Sequence, residues 1–417
     1  MAQLRVNTKT SENGWSGGGG RRLWLQFQLA EVKKFDRELH LIDETVTNLV
    51  LIFKKFKKTL DLEGAPLDHL PAEVGNLWHL RYLSLRKTKV KKLAKSIGRL
   101  CNLETLDLRQ TPVYDLPVEI NRLLKLRHLL AFFININDEP DPNFQRGVKM
   151  NGSIGSLKSI QKLSYIEVDQ DTGLIQQVEK LTQLRKLGIK KLKRESGVEL
   201  CSALEKMPHL CTLRISSLNK EEFLDLQALS YPPPLLQRLS LSGPLVELPH
   251  WITKLRSLVR IQLNWSRLLD DALQILQDFP NLQELGFYEG YNGDELHFKN
   301  GYFGKLKVLY LRGLIGLNKL TIDEGALPLL EKLSIGPFPK FNKIPSGIHF
   351  LRNLKRLKLF DIQTQIVLGI LPDNGHDYWK VEHIAIVNLY YKIKGERYRS
   401  YKLGDSDLFK RLESIEE

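Results

Sequence analysis

Seven apolar positions recur at a fixed distance along this chain. Leu80, Leu83, Leu85, Val90, Leu93, Ile97 and Leu100 return as Leu103, Leu106, Leu108, Val113, Leu116, Ile120 and Leu123, each 23 residues on (103 − 80). Upstream, Leu60, Leu62, Leu67, Leu70, Val74 and Leu77 keep the same frame, with Lys57 in place of the first leucine. One such unit cannot fold alone. About seven buried apolar side chains at roughly 1.5–3 kcal/mol each fall short of an ordering cost of about 1.5 kcal/mol for every residue of the unit. Stacked copies bury one another's leucines. The L-x-x-L-x-L segment then becomes one strand of a parallel sheet, with successive strands about 4.8 Å apart.

This pattern is that of a leucine-rich repeat. The fold class it predicts is α/β: a curved solenoid with a parallel sheet on its concave face and short irregular or 3₁₀ outer arcs. In the same frame, strand starts fall at Leu126, Ile160, Leu184, Leu210, Leu236, Leu258, Leu282, Leu306, Leu330, Leu354 and Val381. Most steps lie between 22 (258 − 236) and 27 (381 − 354) residues. The step from Leu126 to Ile160 is longer, at 34 (160 − 126), and holds the turn-rich run Asn135-Ile136-Asn137-Asp138-Glu139-Pro140-Asp141-Pro142. It reads as a surface insertion near 134–159 rather than a domain boundary. Leu70-Pro71, Leu116-Pro117, Leu248-Pro249 and Ile344-Pro345 punctuate the outer arcs. Proline fixes φ and donates no hydrogen bond, so these arcs should be extended or 3₁₀ more often than helical. Thr88 and Thr111 stand where the common pattern has Asn or Cys, and their hydroxyls can bond the local backbone.

The expected organisation is a disordered segment over 1–22, a cap over 23–56, the solenoid over 57–393 and a C-terminal cap or helix over 394–417. Gly17-Gly18-Gly19-Gly20 cannot build a core. Ser406 before Asp407, Leu408, Phe409 and Leu412 resembles the capped start of a helix. The early apolar run Leu23–Ala30 is interrupted by Gln26 and Gln28, so neither a signal peptide nor a membrane span is expected. Cys101, Cys201 and Cys211 form no paired clusters of the kind that cap secreted repeats, which favours a cytoplasmic protein. Asn151-Gly152-Ser153 and Asn264-Trp265-Ser266 match the glycosylation pattern by chance often enough to leave that unchanged.

Two groups of outward positions are candidates for binding. The net charge is +14, and Arg81, Arg86, Lys87, Arg109, Arg127 and His128 fall at strand positions that alternate away from the leucines, interrupted by Glu104 and Asp107. This basic patch weighs about evenly against solvated surface charge. Toward the C-terminus the outward positions turn aromatic: Trp265, Tyr288, Tyr310 with Arg312, and Phe360. Trp, Tyr and Arg are the residue types that dominate interface energetics, whereas the bland alternative is a stacked surface ladder. Catalytic chemistry leaves no trace. The sequence has no G-x-x-x-x-G-K-[ST], no H-E-x-x-H and no paired C-x-x-C, and His376-Asp377 sits in a turn-rich run, so neither an enzyme nor a metal or cofactor is expected.

Asn76-Leu77-Trp78-His79-Leu80-Arg81-Tyr82-Leu83-Ser84-Leu85-Arg86, Ser96-Ile97-Gly98-Arg99-Leu100 and Leu103-Glu104-Thr105-Leu106-Asp107-Leu108-Arg109-Gln110-Thr111 closely resemble the repeat region of plant intracellular disease-resistance receptors. The subgroup is the coiled-coil class with a nucleotide-binding NB-ARC domain. The resemblance is specific over Thr59–Leu130 and continues to about Ile393. It implies a recognition module that binds a pathogen effector or a guarded host protein. In a complete receptor it would also restrain the nucleotide-binding switch, with the first repeats against that domain. Neither a coiled-coil nor a nucleotide-binding domain fits ahead of Phe56, so the sequence reads as the sensor half of such a receptor. The isolated chain is expected to be an elongated monomer without a nucleotide site. Two alternatives belong to other classes. An extracellular repeat inhibitor or receptor ectodomain would need a signal peptide, cysteine caps and a Gly-x-Ile-Pro turn. A basic nucleic-acid-binding scaffold would need a Lys/Arg stripe interleaved with spaced aromatics.

Overall fold

The leucines that recur in the sequence are the core of the fold. In the computed structural model, which describes residues 58–134, 145–168, 173–269, 271–341, 343–392 and 398–408, they lie almost wholly buried from Leu60 to Leu389. The segments expected to be disordered (1–22) and capping (23–56) lie outside the described residues. The chain divides into two compact units, Met1–Phe133 with Gly147–Leu163, and Ile134–Arg146 with Ser164–Glu417. The long step after Leu126, expected to be only a tolerated insertion, is where this division falls.

In the N-terminal unit, the strands Thr59–Asp61, Tyr82–Ser84, Thr105–Asp107 and His128–Leu130 pair in parallel, with Leu60, Leu83, Leu106 and Leu129 in register. After each of the first three strands the chain turns through a 3₁₀ arc: Ala72–Asn76, Lys95–Arg99 and Val118–Arg122. Pro71 and Pro117 precede two of these arcs at φ −56° and −65°, the value the ring imposes. The arcs pack tightly. A Cβ on Gly98 would lie 2.7 Å from the Glu119 carbonyl oxygen, so only glycine lets the backbones approach this closely. Part of the sequence insertion is regular structure: Val148–Met150 pairs in parallel with Asp115–Leu116, and Ile154–Ser156 forms a further 3₁₀ arc over buried Leu157. Residues 135–144, which hold the turn-rich run, lie outside the described residues. Thr88 and Thr111 are buried, and each hydroxyl donates to a carbonyl three residues back, Leu85 and Leu108, at 2.7 Å.

The C-terminal unit continues the pattern with longer strands. Lys186–Leu192, Thr212–Ser217, Arg238–Ser242, Arg260–Asn264, Glu284–Tyr288, Val308–Arg312, Lys332–Gly336, Arg356–Phe360 and Ile386–Lys392 pair in parallel in sequence order. Among the described residues, short α-helices occupy outer arcs here, Leu174–Val178, Gly197–Glu205, Asp271–Leu276 and Thr364–Gly369, in addition to the 3₁₀ arc His250–Lys254 that follows Pro249. Asparagines preceding the first leucine of a coil tie it to the coil before. Asn281 Nδ2 donates to the Arg256 carbonyl at 3.1 Å and Asn353 Nδ2 to that of Pro328 at 2.7 Å.

Two details depart from the expected frame. Leu357 pairs with Val387, which makes Ile384 rather than Val381 the start of the last parallel coil. The intervening chain takes up the slack in the 3₁₀ turn Tyr378–Lys380. Beyond it, within the stretch expected to be a C-terminal cap or helix, Tyr398–Lys402 pairs antiparallel to the Ile386–Lys392 strand and covers the sheet edge. The helical residues 406–408 follow, and Phe409 and Leu412 lie outside the described residues.

Candidate recognition surfaces

Alternation along each strand sends the leucines inward and leaves three columns of side chains on the opposite face. In the N-terminal unit these columns carry Thr59, Tyr82, Thr105 and His128; then Asp61, Ser84, Asp107 and Leu130; then Glu63, Arg86, Arg109 and Phe132. Of the basic residues singled out in the sequence, Arg86, Arg109 and His128 stand in these columns, whereas Arg81, Lys87 and Arg127 do not, a correction to their placement as outward strand positions; most of them are neutralised within the unit. Arg81 donates to Glu104 Oε1 at 3.1 Å, and Glu63 holds both Arg86 at 3.5 Å and Lys87 at 3.0 Å. Arg109 Nε donates to both oxygens of the buried Asp107 at 2.9 and 3.1 Å. Arg127 is exposed and forms no ion pair among the described residues. His128 shares a hydrogen bond with Thr105 Oγ1 at 3.0 Å. Burial, and then Lys162 and Arg127, hold its pKa below the ordinary imidazole value, so it adds no charge to this face at neutral pH.

The aromatic candidates of the C-terminal unit do not form one surface. Tyr288, Arg312 and Phe360 share the third column and come together around the arginine. The Arg312 guanidinium carbon lies 3.3 Å from the Phe360 ring centroid and 6.0 Å from that of Tyr288, while Nε donates to the Gly336 carbonyl at 3.0 Å. On its other side Phe360 stacks on Tyr390 at 4.5 Å and 14°, and Tyr398 meets it edge-on at 5.7 Å. Phe360 is 8% exposed. It therefore supports Arg312 rather than offering a free ring face, a correction to its placement as an outward contact. Tyr398 donates to Asp361 Oδ2 at 2.5 Å, and burial followed by this carboxylate pushes its pKa upward. Burial likewise lowers that of Arg312, although the guanidinium stays charged at neutral pH.

Tyr310 lies in the middle column, half-buried between Gly286 and Ser334, where burial and then Glu284 raise its pKa. Trp265 sits apart. It follows the Arg260–Asn264 strand at φ +54°, with the Lys220 ammonium 4.6 Å from its ring centroid. That same Lys220 pairs with Glu289 at 2.9 Å, and Arg267 binds Glu221 at 2.6 Å. The loop around Lys220 thus reaches across later coils. Sequence reasoning missed it, because contacts between residues 46 and 69 positions apart leave no local pattern, and it missed Tyr390 and Tyr398, because the frame slips before the strand that carries Tyr390 and the antiparallel strand that carries Tyr398 repeats no coil.

Other chemistry is sparse. Among the described residues no group of three His, Cys, Asp or Glu could hold a metal ion, and no helix is long and apolar enough to cross a membrane. Cys101, Cys201 and Cys211 are free, and burial pushes the Cys201 thiol up to about 11, the opposite of an activated nucleophile. Asn264 is buried at 4% exposure, which removes it as a glycan acceptor.

The sequence matches the family described as leucine-rich repeat region over residues 37–367. It is similar to disease resistance protein RPM1 of Arabidopsis thaliana, 31% identical over 268 residues, which are 64% of this chain and 28% of that protein. It is also similar to disease resistance protein PIK6-NP of Oryza sativa subsp. japonica, 32% identical over 253 residues, 53% of this chain and 24% of that one. The matched spans are about a quarter of each relative's length. Among solved structures, a leucine-rich-repeat protein of Leptospira interrogans is similar with a TM-score of 0.47 and 19% identity, covering 82% of this chain and 97% of that one.

Proposed function

The chain belongs to the leucine-rich-repeat region family, in the form carried by plant disease-resistance proteins, and on that premise we propose that it is the protein-recognition module of a cytoplasmic immune receptor. Its binding partner is a pathogen effector or a host protein that the receptor guards. The observation that carries this reading is the strand face of the C-terminal unit. Tyr310 and Tyr288 stand there half-buried outside a core already filled by Leu309, Leu311 and Phe287. The inward columns are filled without them, and tyrosine in such a position is typical of interface anchors.

Pathogen effectors screened against the full chain by split-luciferase pairing in plant cells test the proposal. Tyr310→Ala and Tyr288→Ala are each expected to weaken binding of the true partner by at least about 2 kcal/mol, with the melting temperature nearly unchanged. Loss of stability without loss of binding would assign both tyrosines to packing.

The second half of the proposal is restraint of a nucleotide-binding switch by the first coils. Charge at such a contact orients the partners more than it adds affinity. In a complete receptor, Arg86→Glu with Arg109→Glu is expected to raise signalling without a pathogen. Both changes also disturb the pairs with Glu63 and Asp107. Arg127→Glu, which breaks no ion pair among the described residues, is therefore the companion variant. Unchanged basal signalling in all these variants at normal expression would remove the restraint.

A further inference from the structure

We propose that the strand face of the C-terminal unit is a receptor surface for an acidic polypeptide segment, and that the basic surface of the chain lies there rather than on the first coils. The inference deepens the recognition reading above by naming the chemistry of the partner, and it rests on that reading. Parallel register places the face, apart from an irregularity after Ile189. The first column carries Lys186, Arg238, Arg260, Lys332 and Arg356. The middle column adds Arg214 and Lys358, and the third adds Arg312. Against them, Glu284 is the single acid of these columns from the Lys186–Leu192 strand onward, and Arg260 holds it at 2.6 Å; on the neighbouring strand Lys162–Glu167, the buried Glu167 is held by Lys191 at 2.6 Å.

The acids bordering the face are occupied as well. Glu289 is paired with Lys220 at 2.9 Å, while Asp361 accepts from the Lys392 amide at 2.9 Å and from Tyr398 at 2.5 Å. Arg238, Lys332, Arg356 and Lys358 form no ion pair among the described residues. The same columns of the N-terminal unit hold Asp61, Glu63 and Asp107 against Arg86 and Arg109, and the charges there are largely matched.

This imbalance sets like charges side by side. Lys332 and Arg356 are register partners on adjacent strands, as are Arg238 and Arg260, and like charges directly opposite one another repel. Stability gives no reason for the arrangement, whereas carboxylates from a partner relieve it and are steered toward it. The geometry of the Phe360–Tyr390 pair favours polypeptide over nucleic acid. Single-stranded nucleic acid binds through free ring faces on which bases stack. Here Arg312 and Tyr390 cover the two faces of Phe360, and Phe360 takes one face of Tyr390 with Lys358 5.4 Å from that ring centroid.

Fluorescence anisotropy on the full chain tests this, with a labelled twenty-residue polyglutamate and a twenty-nucleotide oligothymidylate as probes at low and moderate salt. Polyglutamate is expected to bind and to weaken with salt. Arg238→Glu with Lys332→Glu and Lys358→Glu should weaken it at least about tenfold, against less than about twofold for Arg81→Glu with Arg127→Glu. If the triple variant melts early, Lys332→Gln with Lys358→Gln provides the same comparison without reversed charge. Absence of polyglutamate binding, equal losses in the two variant sets, or tighter binding of oligothymidylate would each overturn the proposal. The tyrosine variants report on recognition separately, so either reading can fail alone.

Discussion

Phe287→Ala is expected to destabilise the C-terminal unit by about 3–5 kcal/mol, the cost of deleting a fully buried ring and leaving a cavity. Phe287 is 0% exposed and stands in register between Leu263 and Leu311, the aromatic member of an inward column of aliphatic side chains. Its ring meets Tyr291 edge-on at 6.2 Å, and the Tyr291 hydroxyl donates to the Glu295 carbonyl at 2.5 Å. The cavity would therefore loosen both the sheet and the turn behind it. Phe287→Leu fills most of the space and should cost less than about 1.5 kcal/mol. In a stack, each coil contacts only its neighbours, so the damage should be local. Amides of Arg260–Asn264 and Val308–Arg312 should lose hydrogen-exchange protection before those of Lys186–Leu192. A uniform loss along the unit would mean that it unfolds as one cooperative body and would contradict the nearest-neighbour account.

That locality also explains what could be read in the sequence. The frame is written by inward leucines at fixed intervals, a signal within each coil, and it places the strand leucines from Leu60 to Leu357 in their observed register. It slipped at Val381, where the arc before the last strand lengthens. It also carried no sign that a strand at Tyr398–Lys402 would return antiparallel, since that strand covers an edge rather than repeating a coil. The surfaces depend on neighbours one coil away. Glu104 opposite Arg81 is a pairing across 23 residues, and once the frame is known it can be read column by column. Read this way, the sequence already contains the neutral face of the first coils and the basic face of the later ones. Read along the chain, Arg81, Arg86 and Arg109 stand out only because they are close together. The contacts of Lys220 and Tyr398 are of another kind, since they depend on how loops and edges fold back over the sheet.

The Arg312 cluster gives the second large effect. Arg312→Ala is expected to cost about 2–4 kcal/mol, combining a desolvated cation–π contact of about 2 kcal/mol with a hydrogen bond of about 1 kcal/mol and the uncovering of one face of Phe360. Arg312→Lys should recover little of this. An ammonium on a flexible stem cannot lie flat on Phe360 at 3.3 Å and also hold the Gly336 carbonyl at the angle that the guanidinium Nε uses. Phe360→Leu should produce part of the same loss, because it removes the ring on which Arg312 and Tyr390 both rest. The double variant Arg312→Ala with Phe360→Leu should cost less than the sum of the two single changes, as contact partners do in a thermodynamic cycle. Chemical denaturation of the four proteins measures this coupling. Additive losses would show that the two side chains act independently and that their stacking contributes nothing. Coupling above about 0.5 kcal/mol would establish the cluster as the brace that holds the last coils and their antiparallel edge strand in place.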